Sequence, residues 1–175
     1  NNVDEVASSM RSKQLYTKHV VKPYSIRKQH VNGYNTEYYV IVMDKVTILT
    51  PTEQNIWYNI HKSFFDTVSD TALLKHIKWM HEWVPKATGK PRYFIDNAGN
   101  QIPYDDVMKF VNKILPQRQS VVKDFNKLKI STYEAHGGNI GFDANGKFMH
   151  FDFWSKNNVE PMLKKVNMQI GRAHV

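Results

Sequence analysis

Tyr133-Glu134-Ala135-His136-Gly137-Gly138-Asn139, then Ile140-Gly141-Phe142, Asp143-Ala144-Asn145-Gly146 and Lys147 to Trp154, is the stretch that decides the fold. Gly137-Gly138 interrupts any regular element, so residues 133–139 read as a loop presenting a carboxylate at Glu134 and an amide at Asn139. Ile140 to Phe142 and Lys147 to Phe153 flank an Asp-Ala-Asn-Gly turn, which predicts a β-hairpin. The hairpin returns the chain and brings Asp152, at the end of its second strand, beside the loop. Two acids and an amide oxygen can then converge. Such hard oxygen donors suit Mg²⁺, which binds one or two carboxylates together with substrate phosphates.

Upstream of the loop the pattern is helical. Gln119 to Lys129 reads as a helix through Val122, Phe125 and Leu128. Asp105 to Leu115 reads as another, with Val107, Phe110, Val111 and Ile114 on one side and Pro116 as its end. Pro85 to Pro103 reads as a loop with Tyr93-Phe94-Ile95 as a short strand within it. Asp70 is the expected cap of a helix whose stripe is Leu73, Leu74, Ile77, Met80 and Val84; Trp79 and Trp83, four apart on a neighbouring face, read as core or lobe packing rather than a base-stacking platform. Thr50-Pro51-Thr52-Glu53 carries a capping box with Pro at the first helical position, opening a helix to about Phe65.

Tyr38 to Val46 is a predicted strand, apolar on both faces and therefore expected to be buried. Val31-Asn32-Gly33 signals a turn, His19 to Tyr24 a short extended piece, and Asp4 to Thr17 a helix. The order is helix, strand, several helices, hairpin, helix. The class is α+β, with helices dominating the middle.

Composition removes whole classes of function. The 175 residues contain no cysteine, which excludes disulfide frameworks, thiolate zinc sites and thiol nucleophiles. The longest apolar blocks are strand-sized, too short for a spanning helix. A net charge of +8 favours acidic partners such as nucleic acid, nucleotide phosphates or anionic lipid, although the basic residues are scattered. Residue 1 is Asn, and Ile170 to Val175 resembles a translated sequencing adapter. Both features lead to the expectation of a reading frame cut at both ends, with 170–175 a non-native tail.

Residues 134–154 resemble the catalytic and metal loops of the protein-kinase-like superfamily, where a catalytic acid stands five residues before an Asn and a metal-binding Asp follows a hairpin. His136 and Gly138 match the Asp-x-His-x-Gly-Asn variant of small-molecule kinases and some bacteriophage protein kinases; Phe153 matches the Phe of Asp-Phe-Gly. The resemblance implies ATP and Mg²⁺ as cofactors, Asn139 and Asp152 as metal ligands, and Glu134, with His136 in the same loop, as the catalytic acid-base element. Tyr38 to Val46 is similar to the strand leading into the hinge between kinase lobes. Met43 would be the gatekeeper, Asp44 and Val46 would offer backbone groups to adenine, and Glu5 would be the glutamate that pairs with the ATP-binding Lys.

On this resemblance residues 1–46 are the remnant of a small lobe and hinge strand, and 47–169 the helical lobe with both loops. The expected activity moves the γ-phosphoryl group of ATP to a hydroxyl of a protein or small molecule, in the cytoplasm, with no membrane partner and no nucleic acid. Two positions depart from the family: Glu134 stands where it has Asp, and Trp154 where it has Gly. No Gly-rich loop or strand with a phosphate-binding Lys precedes Asp4, as expected for a fragment that would itself be inactive. The departures also fit a kinase-like scaffold that binds a protein partner without catalysis, and the charge leaves a basic nucleic-acid-binding protein as a third reading. His136 has a plainer role as a buried ring bracing the loop. Asp143 to Gly146 reads as a hairpin turn rather than a calcium loop.

Overall fold

The computed structural model describes residues 18–21, 23–30, 33 and 37–151. The expected helix over Asp4 to Thr17, with Glu5, and everything from Asp152 onward lie outside the described residues.

The architecture is α+β. Strands β1 (Pro23–His30) and β2 (Glu37–Met43) form an antiparallel ribbon, in register from Pro23 opposite Met43 to His30 opposite Glu37. Gly33, at φ +90°, lies in the turn between them. A second sheet orders β3 (Thr47–Ile48), β4 (Ile140–Phe142) and β5 (Phe148–His150), all antiparallel. Val20 adds a parallel bridge to His150, closed by Val21 N–H to the His150 carbonyl (3.0 Å) and His150 N–H to the His19 carbonyl (2.7 Å).

The β2 strand is shorter than expected and is not buried on both faces. It ends at Met43, and Val42 is 51% exposed. Its partner β1, Pro-Tyr-Ser-Ile-Arg-Lys-Gln-His, carries too few apolar residues to announce itself and is held by the backbone ladder.

Helix α1 (Pro51–Asp66) starts as its sequence dictates. Thr50 Oγ1 accepts from Glu53 N–H, and Glu53 Oε1 accepts from Thr50 N–H. Helix α2 (Asp70–Lys78) is capped by Ser69, whose Oγ accepts from Ala72 N–H, and not by Asp70. Asp70 is drawn instead to Arg118, one oxygen lying 3.1 Å from its Nη1. The Arg118 guanidinium is buried and also donates to the Phe64 carbonyl (2.7 Å), to Thr67 Oγ1 (3.0 Å) and to the Thr67 carbonyl. It thereby satisfies carbonyls that the end of α1 leaves without helical partners.

The expected loop after Val84 is still helix. Trp79–Trp83 forms a π-turn, with Val84 N–H bonded to the Trp79 carbonyl, and α3 (Val84–Thr88) continues through Pro85. Pro85 has no N–H for the His81 carbonyl four residues back. Gln101 Nε2 donates to that carbonyl instead at 2.9 Å, and His81 Nε2 donates to the Ile102 carbonyl at 2.8 Å. The expected strand over Tyr93 to Ile95 reduces to a single bridge between Ile95 and Gln101. Pro116 likewise fails to end the helical run: α4 (Tyr104–Ile114) passes through a 3₁₀ turn, Leu115–Gln117, into α5 (Arg118–Leu128).

The core lies where α1, α4 and α5 meet the hairpin. Trp57 and Phe64 pack at 5.2 Å, Phe64 stacks on Phe148 at 6.1 Å, and Phe125 meets the edge of His150 at 5.5 Å. The stripe Leu73, Ile77, Met80 and Val84 is buried as expected, with Leu74 half-buried against it. Trp79 and Trp83 are not core: they are 45% and 64% exposed.

Candidate functional site

The loop between α5 and β4 is built from the inside. Lys129 closes α5 in the left-handed conformation (φ 55°), and Ile130 buries its side chain. Ser131 then caps a 3₁₀ turn, Thr132–Ala135, its Oγ accepting from Tyr133 N–H. Ala135 is fully buried, and its carbonyl receives Trp57 Nε1–H at 2.6 Å. The side chains on either side of Ala135, Glu134 and His136, are exposed. His136 therefore does not brace the loop from within; its Nδ1 accepts from Gly138 N–H at 3.2 Å.

Asn139 is oriented by this loop. Its Nδ2 donates to the Glu134 carbonyl at 2.9 Å, and His150 Nε2 donates to the same oxygen at 3.1 Å. With the nitrogen committed, Oδ1 is the part of the amide left for a cation. The Asn139 carbonyl accepts from Phe151 N–H at 3.0 Å, so the residue immediately before Asp152 is fastened to Asn139. His136 and His150, which could have formed a transition-metal pair, have separate ring partners.

The segment after β2 reaches the same neighbourhood. Met43, Asp44 and Val46 line a small cavity of about 160 Å³ together with Ile48 and Phe151. Val46 also packs against Gly141 of β4, where a Cβ would fall 2.5 Å from Val46 Cγ1. A neighbouring groove of about 230 Å³ runs between α1 and the loop, lined by Gln54, Tyr58, His61, His136, Gly137 and Gly138 among others. Gly137 lies close over α1, its Cβ position 3.2 Å from Gln54 Cγ.

Of the residues expected from sequence, Glu134, His136 and Asn139 share one loop, and Met43, Asp44 and Val46 share one cavity with Phe151. Glu5 and Asp152 lie outside the described residues. Sequence reasoning missed Trp57 and His150 as the groups that hold the loop, and His19 as the group that ties α5 to the hairpin. His19 is buried, with Nδ1 donating to the Phe148 carbonyl (2.8 Å) and Nε2 accepting from Ser120 Oγ (2.7 Å). Its backbone N–H meets Asp124 Oδ2 at 2.9 Å. Burial lowers its pKa from 6.5, against the opposing pull of the Phe148 carbonyl and the Asp124 charge. The one signal for His19 was its place ahead of an apolar pair, Val20-Val21, in a short extended piece.

No protein-family model, curated protein or solved structure matches this chain. Among the described residues no helix is long and apolar enough to cross a membrane.

Proposed function

We propose that this chain carries the hinge, catalytic loop and metal loop of a protein-kinase-like phosphotransferase that uses Mg·ATP. The observation that carries the reading is the bond from Asn139 Nδ2 to the Glu134 carbonyl. It gives the five-residue spacing a chemical purpose: the amide oxygen is held ready for a cation while the acid at its other end stays in solvent. Asn139 and Asp152 would hold Mg²⁺, which neutralises phosphate charge when bound. The hinge cavity beside Phe151 would receive the base of the nucleotide. In the transfer, an acceptor hydroxyl oxygen bonds to the γ-phosphorus, the bond to the β–γ bridging oxygen breaks, ADP leaves, and Glu134 takes the hydroxyl proton.

Mn²⁺ with ATP tests this directly. In an amide NMR spectrum it should broaden Gly138 to Gly141 and Phe151 selectively, and Asn139→Ala should abolish that broadening. Uniform broadening, or no change with Asn139→Ala, refutes the reading.

A second reading rests on Glu134, which is one methylene longer than the family's Asp. A displacement of about 1 Å can cost a catalytic group about 10²-fold. The fold would then hold nucleotide without transferring phosphate. With a Gly-rich loop and a Lys-bearing strand joined upstream, turnover preserved or raised in Glu134→Asp and lost in Glu134→Gln supports the enzyme; equal turnover in wild type and Glu134→Gln supports the inactive scaffold.

A further inference from the structure

We infer that the turn carrying Trp79 and Trp83 is a docking ledge for single-stranded nucleic acid, separate from the loop around Glu134 and Asn139. Both indoles line one open groove of about 330 Å³ with Lys75, Lys78 and Glu82. An indole is costly to leave in water, and here two stand 45% and 64% exposed on successive turns. Their apolar neighbours offer no reason for it: Leu73, Ile77, Met80 and Val84 are already buried in the core.

The stretch of chain that carries them is rich in cations. Residues 75–92 hold five cations (Lys75, Lys78, Lys86, Lys90 and Arg92) against one carboxylate, Glu82, a surplus of four that is half the chain's +8. Glu82 is shared between Lys78 at 4.0 Å and Lys86 at 3.2 Å, and all three side chains are about half exposed or more, so the pairs neutralise little of the patch. Trp79 already carries the His76 ring stacked at 5.6 Å and 15°, with Tyr93 tilted beside it at 6.3 Å. A platform of flat rings set among lysines is the combination by which single strands are held: bases stack and phosphates meet cations. A duplex keeps its base faces hidden. A lipid surface calls for an apolar helix face to insert, and that face of α2 is buried in the core.

The test is a fluorescence titration of the whole chain with a short oligothymidylate. Stacking should quench tryptophan emission, and log K against log salt should have a slope between about −2 and −3.5 for three to five phosphate contacts. Trp83→Ala, at an exposed position, should weaken binding about 5- to 100-fold with no change in thermal unfolding. Lys75→Gln should flatten the salt slope by about 0.7, and Asn139→Ala should leave binding unchanged. The inference is overturned if Trp83→Ala binds as wild type does, if duplex DNA binds as tightly, or if polyglutamate or phosphatidylserine vesicles give the same quenching.

Discussion

Trp57 Nε1 donates to the carbonyl of Ala135 at 2.6 Å, across 78 residues of chain and wholly inside the core. This bond fixes the one buried residue of a loop whose flanking side chains, Glu134 and His136, face solvent. Trp57→Phe keeps an aromatic ring in place but leaves a buried carbonyl without its donor. Stability should fall by about 1–3 kcal/mol. Hydrogen exchange should show where: the Asn139 amide, bonded to the His136 carbonyl at 2.9 Å, should lose protection more than amides of α4. Uniform loss across the chain would mean that the bond serves the core alone.

Two glycines should respond unequally to alanine. At Gly141 a Cβ would run into the Thr47 carbonyl oxygen and Val46 Cγ1, both parts of the β3 segment. Gly141→Ala should cost about 1–3 kcal/mol, a fall in Tm of about 2–12 °C. At Gly137 the added carbon is tight only against Gln54 Cγ, at 3.2 Å, with Cβ and Cα at ordinary contact distance beyond it. Gly137→Ala should stay within about 0.5 kcal/mol of wild type. Equal melting shifts for the two variants would contradict this account of the sheet.

Arg118 should not be replaceable by Lys. One ammonium cannot reach the Phe64 and Thr67 carbonyls and Asp70 together, as the planar guanidinium does. Arg118→Lys should destabilise by roughly 1–3 kcal/mol through unsatisfied buried carbonyls. Asp70→Asn, which removes only the half-exposed partner, should cost under about 1 kcal/mol. Denaturant midpoints of the two variants would separate these contributions.

His19 should make stability depend on pH in a defined direction. Its folded pKa is lowered from 6.5 by burial, so the unfolded chain binds the proton more readily. The stability it contributes is complete above pH 6.5 and is lost as pH falls through the lowered folded value. Denaturant titrations across that window should show stability declining with acid, and His19→Gln should remove that part of the slope. A wild-type slope of the opposite sign would show that the folded ring is charged.

Local signals survived from sequence to structure. The capping box at Thr50 and the Asp143 to Gly146 turn act within a few residues, and each forms as read. What the sequence hid depends on distant partners. The α2 cap was misread because Asp70 answers to Arg118, 48 residues away. The helix crosses Pro85 because Gln101, 20 residues on from His81, supplies the missing donor. A four-residue spacing set Trp79 and Trp83 on one face but could not say whether that face met core or water. The same limit applies to the candidate site: the bond from Asn139 to the Glu134 carbonyl spans five residues, whereas the cavity shared by Met43 and Phe151 joins segments over a hundred residues apart and has no local signal.

The π-turn at Trp79–Trp83 amounts to one residue more than an α-helix would count over the same stretch. Deleting one of these residues other than His81 would restore the ordinary ladder and leave the helix beyond nearly in place, because the widened turn already takes up the extra residue. The same deletion within α2 would instead rotate everything beyond by about 100° and draw it back by about 1.5 Å. The slack in the length of this run is accordingly confined to five positions.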